Sequence, residues 1–96
     1  MIYEWDIRKA AENVRKHDVS FEEAKTVFFD PFAETFDDPD HSHDEQRFIT
    51  LGMSSSQRLL FVAHADSGED RVRIISARTA TRRETHAHQE RSDKDR

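Results

Sequence analysis

Apolar residues recur at helical spacing early in the chain and at strand spacing later. Met1–Trp5 holds Ile2, Tyr3 and Trp5, side chains that suit a pleated surface, and predicts a first strand. Asp6 then stands as an N-cap. Ile7, Ala10, Ala11 and Val14 follow at i, i+3, i+4 and i+7, the buried stripe expected of a first helix. Lys9, Asn13 and Lys16 gather on its polar face, and His17 closes it, where a cation suits the helix dipole. Ser20-Phe-Glu-Glu23 has the spacing of a capping box, with Val19 placed to staple onto Ala24. The second helix runs to about Phe29, burying Phe21, Ala24, Val27 and Phe28, and Asp30-Pro31 ends it.

Beyond that point alternation takes over. Phe32–Phe36, Arg47–Met53, Arg58–Ala65 and Arg71–Ala77 read as strands, the last three joined by turns at Ser54–Gln57 and Asp66–Asp70. In Arg71–Ala77, period two sets Val72, Ile74 and Ser76 on one side and Arg71, Arg73, Ile75 and Ala77 on the other. Thr81-Arg-Arg-Glu84 is a further capping box, so a last helix starts near Ala80 and frays over residues 89–96, which hold no apolar anchor. The expected order is βααββββα: an α+β fold, its last four strands an antiparallel meander packed against helices. One domain over residues 1–88 with a charged tail over 89–96 accounts for the chain.

Composition sharpens this picture at a few points. The 96 residues support one modest core, and 36% charged residues give a heavily solvated surface. The sequence holds no cysteine, which excludes a disulfide framework and a thiolate metal site. A signal-like start and a span-length apolar run are both missing from it, so the expected location is cytoplasmic, with no membrane partner. The net charge of −5 is split unevenly: residues 1–46 carry net −8 and residues 47–96 net +3. Such polarisation can offer one face to phosphates and another to a basic partner.

The candidate chemistry gathers where the last strand meets the last helix. Arg78 stands there, and Arg73 and Arg47 are further strand cations; planar guanidinium forks bind phosphate oxygens bidentately and stay charged. Arg73 and Arg78 lie five apart, on opposite sides of a regular strand, so convergence requires a turn between Ala77 and Arg78. His17 and His64 are the candidates for proton transfer, with a helix cap and a satisfied sheet residue as the plainer readings. Lys16, Arg82 and Arg83 supply further positive charge. His41-Ser-His43-Asp44 and His86-Ala-His88 lack a recognised zinc spacing, so neither a metal nor a cofactor is expected. The stretch from Asp30 to Gln46 carries seven carboxylates and no lysine or arginine. For Glu34–Glu45 within it, a docking surface for a basic partner, a lid over the site and a plain solvated loop are the three readings open.

Taken together, Trp5-Asp6, Lys9-Ala10, Asn13, Lys16-His17, Val19 and Phe21-Glu-Glu-Ala24 resemble the BrnT-type toxins. So do Asp30-Pro31, Glu45-x-Arg47, Leu51-Gly52, and Arg73-Ile-Ile-Ser-Ala-Arg78 with Ala80 and Glu84. The resemblance spans roughly residues 3–88. It implies a RelE-like, metal-independent endoribonuclease that blocks translation, the toxin half of a bacterial type II toxin–antitoxin pair. The implied partners are RNA and a ribbon-helix-helix, BrnA-like antitoxin, with operator DNA reached only through the complex. Asp18 replaces the glycine usual after Lys-His, and His88 replaces a tyrosine common near the end of the last helix. Those departures and the negative net charge also motivate a second reading, a catalytically inactive binding module that acts with its antitoxin in operon autorepression.

Overall fold

The computed structural model describes residues 1–41 and 45–94. Its elements are β1 (Ile2–Glu4), α1 (Ile7–His17), α2 (Phe21–Lys25) running into a 3-10 turn (Thr26–Phe29), β2 (Glu34–Asp37), β3 (Arg47–Met53), β4 (Leu59–Gly68), β5 (Arg71–Thr79) and α3 (Arg82–Lys94), with a short 3-10 turn at Pro39–His41. The predicted capping residues act as expected. Asp6 Oδ1 accepts from the amides of Arg8 and Lys9 at 2.8 and 3.1 Å, and Ser20 Oγ from that of Glu23 at 3.0 Å. Thr81 and Glu84 close a reciprocal box, each side chain accepting the other's backbone N–H. Asp18 ends α1 in the left-handed region (φ 57°), the conformation a glycine adopts without cost.

The five strands form one sheet in the order β1-β5-β4-β3-β2. β2 to β5 are the predicted antiparallel meander, and β1 adds in parallel to the first residues of β5, from Ile2 opposite Arg71 to Glu4 opposite Arg73. The main core lies between one sheet face and the N-terminal helices: Val19, Phe21, Ala24 and Val27 meet Leu60, Val62, Ile74 and Ala77. Gly52 lets the 3-10 turn settle on β3, since a Cβ there would stand 2.9 Å from Ala33 Cβ and 3.1 Å from the Val27 carbonyl oxygen.

Three expectations need correction. Of the predicted stripe only Ala10 packs against the core; Ile7, Ala11 and Val14 face solvent, and α1 instead buries Asn13, which is 5% exposed. Because β1 stops at Glu4, the rest of β5 has an unpaired edge there. Asn13 fills it: Nδ2 donates to the Ala77 carbonyl at 2.8 Å and to that of Val19 at 2.9 Å, and Oδ1 accepts from the Ala77 amide at 3.1 Å. A side-chain amide thus stands in for a neighbouring strand and satisfies buried backbone groups.

Second, no turn separates Ala77 from Arg78; β5 continues to Thr79. The register shift lies earlier, where Ala63 pairs with Ser76 and His64 with Ile74, leaving Ile75 as a bulge. The bulge reverses the parity of everything after it. Val72, Ile74 and Ala77 consequently point into the core, and Arg73, Ser76 and Arg78 point away from it. Third, α3 persists to Lys94 where fraying was expected from residue 89. His88 and Ser92 are buried, and Glu34 on β2 accepts from Arg91 Nε at 2.5 Å.

Candidate functional site

Cross-strand register maps the sheet face opposite the main core. One row reads Arg78–Phe61–Leu51–Glu34, the next Ser76–Ala63–Ile49–Phe36, and a third places Arg73 and Arg47 on either side of Ala65. The first row is tied to α3 at both ends. Arg78 donates to both carboxylate oxygens of Glu84 at 2.8 and 2.9 Å, while Glu34 bonds His88 Nδ1 at 2.6 Å as well as Arg91. In the middle row Ser76 and Phe36 are exposed at the two ends, and Ala63 and Ile49 are half-buried between them.

Strand rise and spacing set the scale. Phe61 and Ala65 are four residues apart on β4, so Arg78 and Arg73 stand roughly 13 Å from each other along the sheet, and Arg73 and Arg47, two strands apart, about 10 Å across it. The three arginines share a face without sharing one point. Glu45 lies between the lower pair, ion-paired with Arg73 and 3.5 Å from Arg47 Nε. The guanidinium of Arg78 also stacks on Phe61, 3.9 Å from the ring centroid. Its hydrogen bonds hold the Glu84 carboxyl down at about 2, and Glu84 in turn favours the charged arginine. Arg78 keeps 35% of its side chain in solvent.

At the β5 end the middle row meets α1. A recess of about 230 Å³ is lined there by Lys9, Glu12, Asn13, Lys16, His17, Ile75 and Ser76. Lys16 Nζ is 2.7 Å from Glu12 and remains exposed, as does His17. The bulge at Ile75 therefore has two effects: it turns Arg78 onto the open face and sets Ser76 between that face and the helix carrying Lys16 and His17. Arg82 and Arg83 are exposed on the first turn of α3.

His64 departs from its expected place. It lies on the core face, 5% exposed, its ring against Phe28 (centroids 4.9 Å apart) and Phe48 (5.8 Å). Nε2 is hydrogen-bonded to Thr50 Oγ1 at 2.7 Å, and Thr50 to Thr35 at 2.8 Å. Burial lowers the His64 pKa to about 4. The ring thus lies on the opposite face of the sheet from Arg47, Arg73 and Arg78.

The acidic stretch resolves in part. Glu34 anchors α3, Glu45 pairs with the arginines, and Asp38 meets His41 at 3.0 Å; His43 and Asp44 fall outside the described residues. His86 faces Glu90 in solvent while His88 turns to Glu34, and no metal-holding group of three or more His, Asp or Glu side chains occurs among the described residues. Among those residues no helix is long and apolar enough to cross a membrane. Two site features escaped the sequence reading. The spacing Glu45-x-Arg47 could have pointed to Glu45 as the partner of the strand arginines, whereas nothing in the sequence signals the bulge that Asn13 stabilises.

No curated protein matches the chain. The fold resembles the crystal structure of the Brucella abortus ribonuclease toxin BrnT, with a TM-score of 0.65 and 20% identity over 85% of this chain and all of that one. The model of the family described as "Ribonuclease toxin, BrnT, of type II toxin-antitoxin system" matches residues 5–84. With that match spanning most of its length, the chain belongs to the BrnT family of ribonuclease toxins, whose members act in type II toxin–antitoxin systems with an antitoxin as partner.

Proposed function

We propose that the chain is a metal-independent endoribonuclease that cuts RNA laid across the open row Ser76–Ala63–Ile49–Phe36. The observation that carries this reading is the gathering of Arg47, Arg73 and Arg78 on one open sheet face by the bulge at Ile75. In the proposed reaction the ribose 2′-hydroxyl attacks the adjacent phosphorus and the 5′-oxygen leaves, giving a 2′,3′-cyclic phosphate. Arg73 and Arg47 stabilise the pentavalent transition state, a role that suits a permanently charged planar donor, while Arg78, roughly 13 Å along the sheet, holds a neighbouring phosphate. A phosphate entering the lower pair displaces Glu45, which holds the place an anion would take. His17, from the α1 recess, and the freed Glu45 are the groups assigned to the two proton transfers. Lys16, Arg82 and Arg83 extend the positive margin along which the RNA backbone runs. Cleavage of messenger RNA would arrest translation, and the antitoxin that silences it is proposed to be a ribbon-helix-helix protein.

The test is cleavage of labelled RNA by purified chain in excess chelator. The expected result is cutting that survives the chelator, stops when the 2′-hydroxyl at the cut is replaced by hydrogen, and falls at least about 10-fold in Arg73→Ala and Arg78→Ala. Loss of all cutting in chelator, or full-rate cutting by both variants, would overturn the proposal. A second reading, a non-cleaving module that acts only within an antitoxin complex, draws support from the saturation of Arg73, Arg47 and Arg78 by carboxylates of the same chain. Tight antitoxin binding without any RNA cleavage would decide for it.

A further inference from the structure

The helix that carries Lys16 and His17 leaves its apolar stripe in water. Ile7 is 82% exposed and Val14 45%, with Ala11 exposed between them, because α1 is rotated to hold Asn13 against β5. At 100° per residue Arg15 and Arg8 border this stripe on the side away from the sheet; Glu12 comes next, 4.0 Å from Arg15 and 2.7 Å from Lys16, and Lys16 and Lys9 lie beyond it. The helix carries four lysines and arginines against the single Glu12, inside a chain of net charge −5. Beyond Val14 the surface continues into a groove of about 380 Å³ lined by Asp18, Ser20, Glu23, Ser56 and Arg58. Arg58 and Glu23 are paired there at 2.5 Å, so the groove offers shape rather than unspent charge.

Scattered exposed apolar residues are ordinary, but three at helical spacing with a basic border on one side are not random scatter. Each possible cover meets this pattern differently. A second copy of the chain would bring one basic helix against another. A nucleic acid would suit the arginines and leave Ile7 and Val14 unused. An acidic amphipathic helix satisfies both features, since its apolar side chains cover the stripe while its carboxylates meet Arg8 and Arg15.

We propose that the antitoxin seats an acidic amphipathic helix along α1, packing apolar residues on Ile7, Ala11 and Val14 and directing carboxylates to Arg8 and Arg15. The proposal rests on the reading of this chain as a toxin with an antitoxin partner, and adds where and by what chemistry the two meet. Lys9 and Lys16, which line the recess beside Ser76, lie across α1 from the stripe, so the docked helix and the recess occupy different sides of α1.

The experiment uses the full chain and, as probe, the purified product of the reading frame adjacent to its gene. Binding is measured by calorimetry over a range of salt, and RNA cleavage is assayed in parallel. Ile7→Asp with Val14→Asp should weaken binding at least about 100-fold; Arg8→Glu with Arg15→Glu should weaken it about 10-fold or more and flatten its salt dependence. Both pairs should cleave RNA at the wild-type rate and keep the wild-type melting curve, since the substituted side chains lie in solvent. Ile7→Leu with Val14→Leu should bind normally. Wild-type affinity in the aspartate pair, or no binding by the wild-type chain, overturns the proposal. So does self-association of the chain that the aspartates abolish, which would make a second copy the occupant, or loss of RNA cleavage with antitoxin binding intact, which would give the stripe to RNA. Absence of RNA cleavage in every form, with binding lost as expected, would remove the ribonuclease reading and leave the docking site standing.

Discussion

Asn13 pairs with Ala77 as a neighbouring strand would, giving its side-chain N–H to the carbonyl at 2.8 Å and taking the amide at 3.1 Å. The pair sits just past the bulge at Ile75, so it fixes the register of the segment that ends in Arg78. It also sets the rotation of α1, and with it the exposure of Ile7 and Val14. A single buried amide therefore links the arginine face to the helix beside it.

Replacing Asn13 by Ala strands the Ala77 amide and carbonyl in the core and removes the Val19 bond as well. The expected loss is about 2–3 kcal/mol in a urea titration, with Asn13→Asp nearly as damaging because both Nδ2 bonds go. A loss under about 0.5 kcal/mol would mean that water or a shifted helix satisfies those groups as well as the amide does.

Asp18 carries the opposite expectation. Its φ of 57° places an L side chain in the left-handed region, while its backbone, not its carboxylate, makes the local bonds: its N–H donates to Val14 and its carbonyl accepts from Arg58. Asp18→Gly should stabilise the protein by up to about 1 kcal/mol, offset in part by the greater freedom glycine gives the unfolded chain. Chemical denaturation of the two forms measures the balance, and a destabilised glycine variant would show that the carboxylate acts beyond its backbone.

These cases show how far the sequence could be read. The capping residues Asp6, Ser20 and Thr81 marked helix starts correctly because a cap is a local contact between residues two or three apart. The antiparallel meander was legible for a similar reason, short turns joining alternating runs. Periodicity failed where a long-range contact overruled it. Ile7, Ala11 and Val14 are the better apolar stripe of α1, yet the unpaired edge of β5 makes a stronger claim on Asn13, a contact 64 residues away in sequence. Strict alternation likewise put Arg73 and Arg78 on opposite faces, since one inserted residue at Ile75 has no local signature. His64 read as a possible proton carrier because its side chain's destination, between Phe28 and Phe48, depends on which face of β4 meets the helices.

The burial of His64 makes stability depend on pH in a definite direction. Its pKa falls from 6.5 toward about 4 on folding, so the unfolded chain binds more protons across that interval. The stabilising contribution of the neutral ring is complete above about pH 6.5 and is lost as the pH falls through about 4. The urea midpoint should therefore drop between those values, and His64→Leu should flatten the drop while costing stability at pH 7 through loss of the Thr50 bond. An unchanged slope in the variant would assign the acid sensitivity to other groups. RNA cleavage by a folded His64→Leu chain should persist, since the ring lies on the core side of the sheet.

Glu34 makes the last prediction because one carboxylate holds the far end of α3. It takes Arg91 Nε at 2.5 Å and His88 Nδ1 at 2.6 Å, and Arg91 lies over Phe36, 5.4 Å from the ring centroid. Hydrogen bonding from Arg91, the foremost cause, keeps the Glu34 carboxyl below its usual range, so the latch holds through neutral pH. The other end of α3 is secured separately by Arg78 and Glu84, which should make the two ends independent. Glu34→Ala is expected to speed amide hydrogen exchange about 10-fold or more over residues 88–94 while leaving the first turn of α3 and strands β3 to β5 protected. Exchange that rises uniformly along α3 would show that the helix docks as one rigid unit. No rise at all would mean that burial of His88 and Ser92, rather than the ion pair, holds the helix on the sheet.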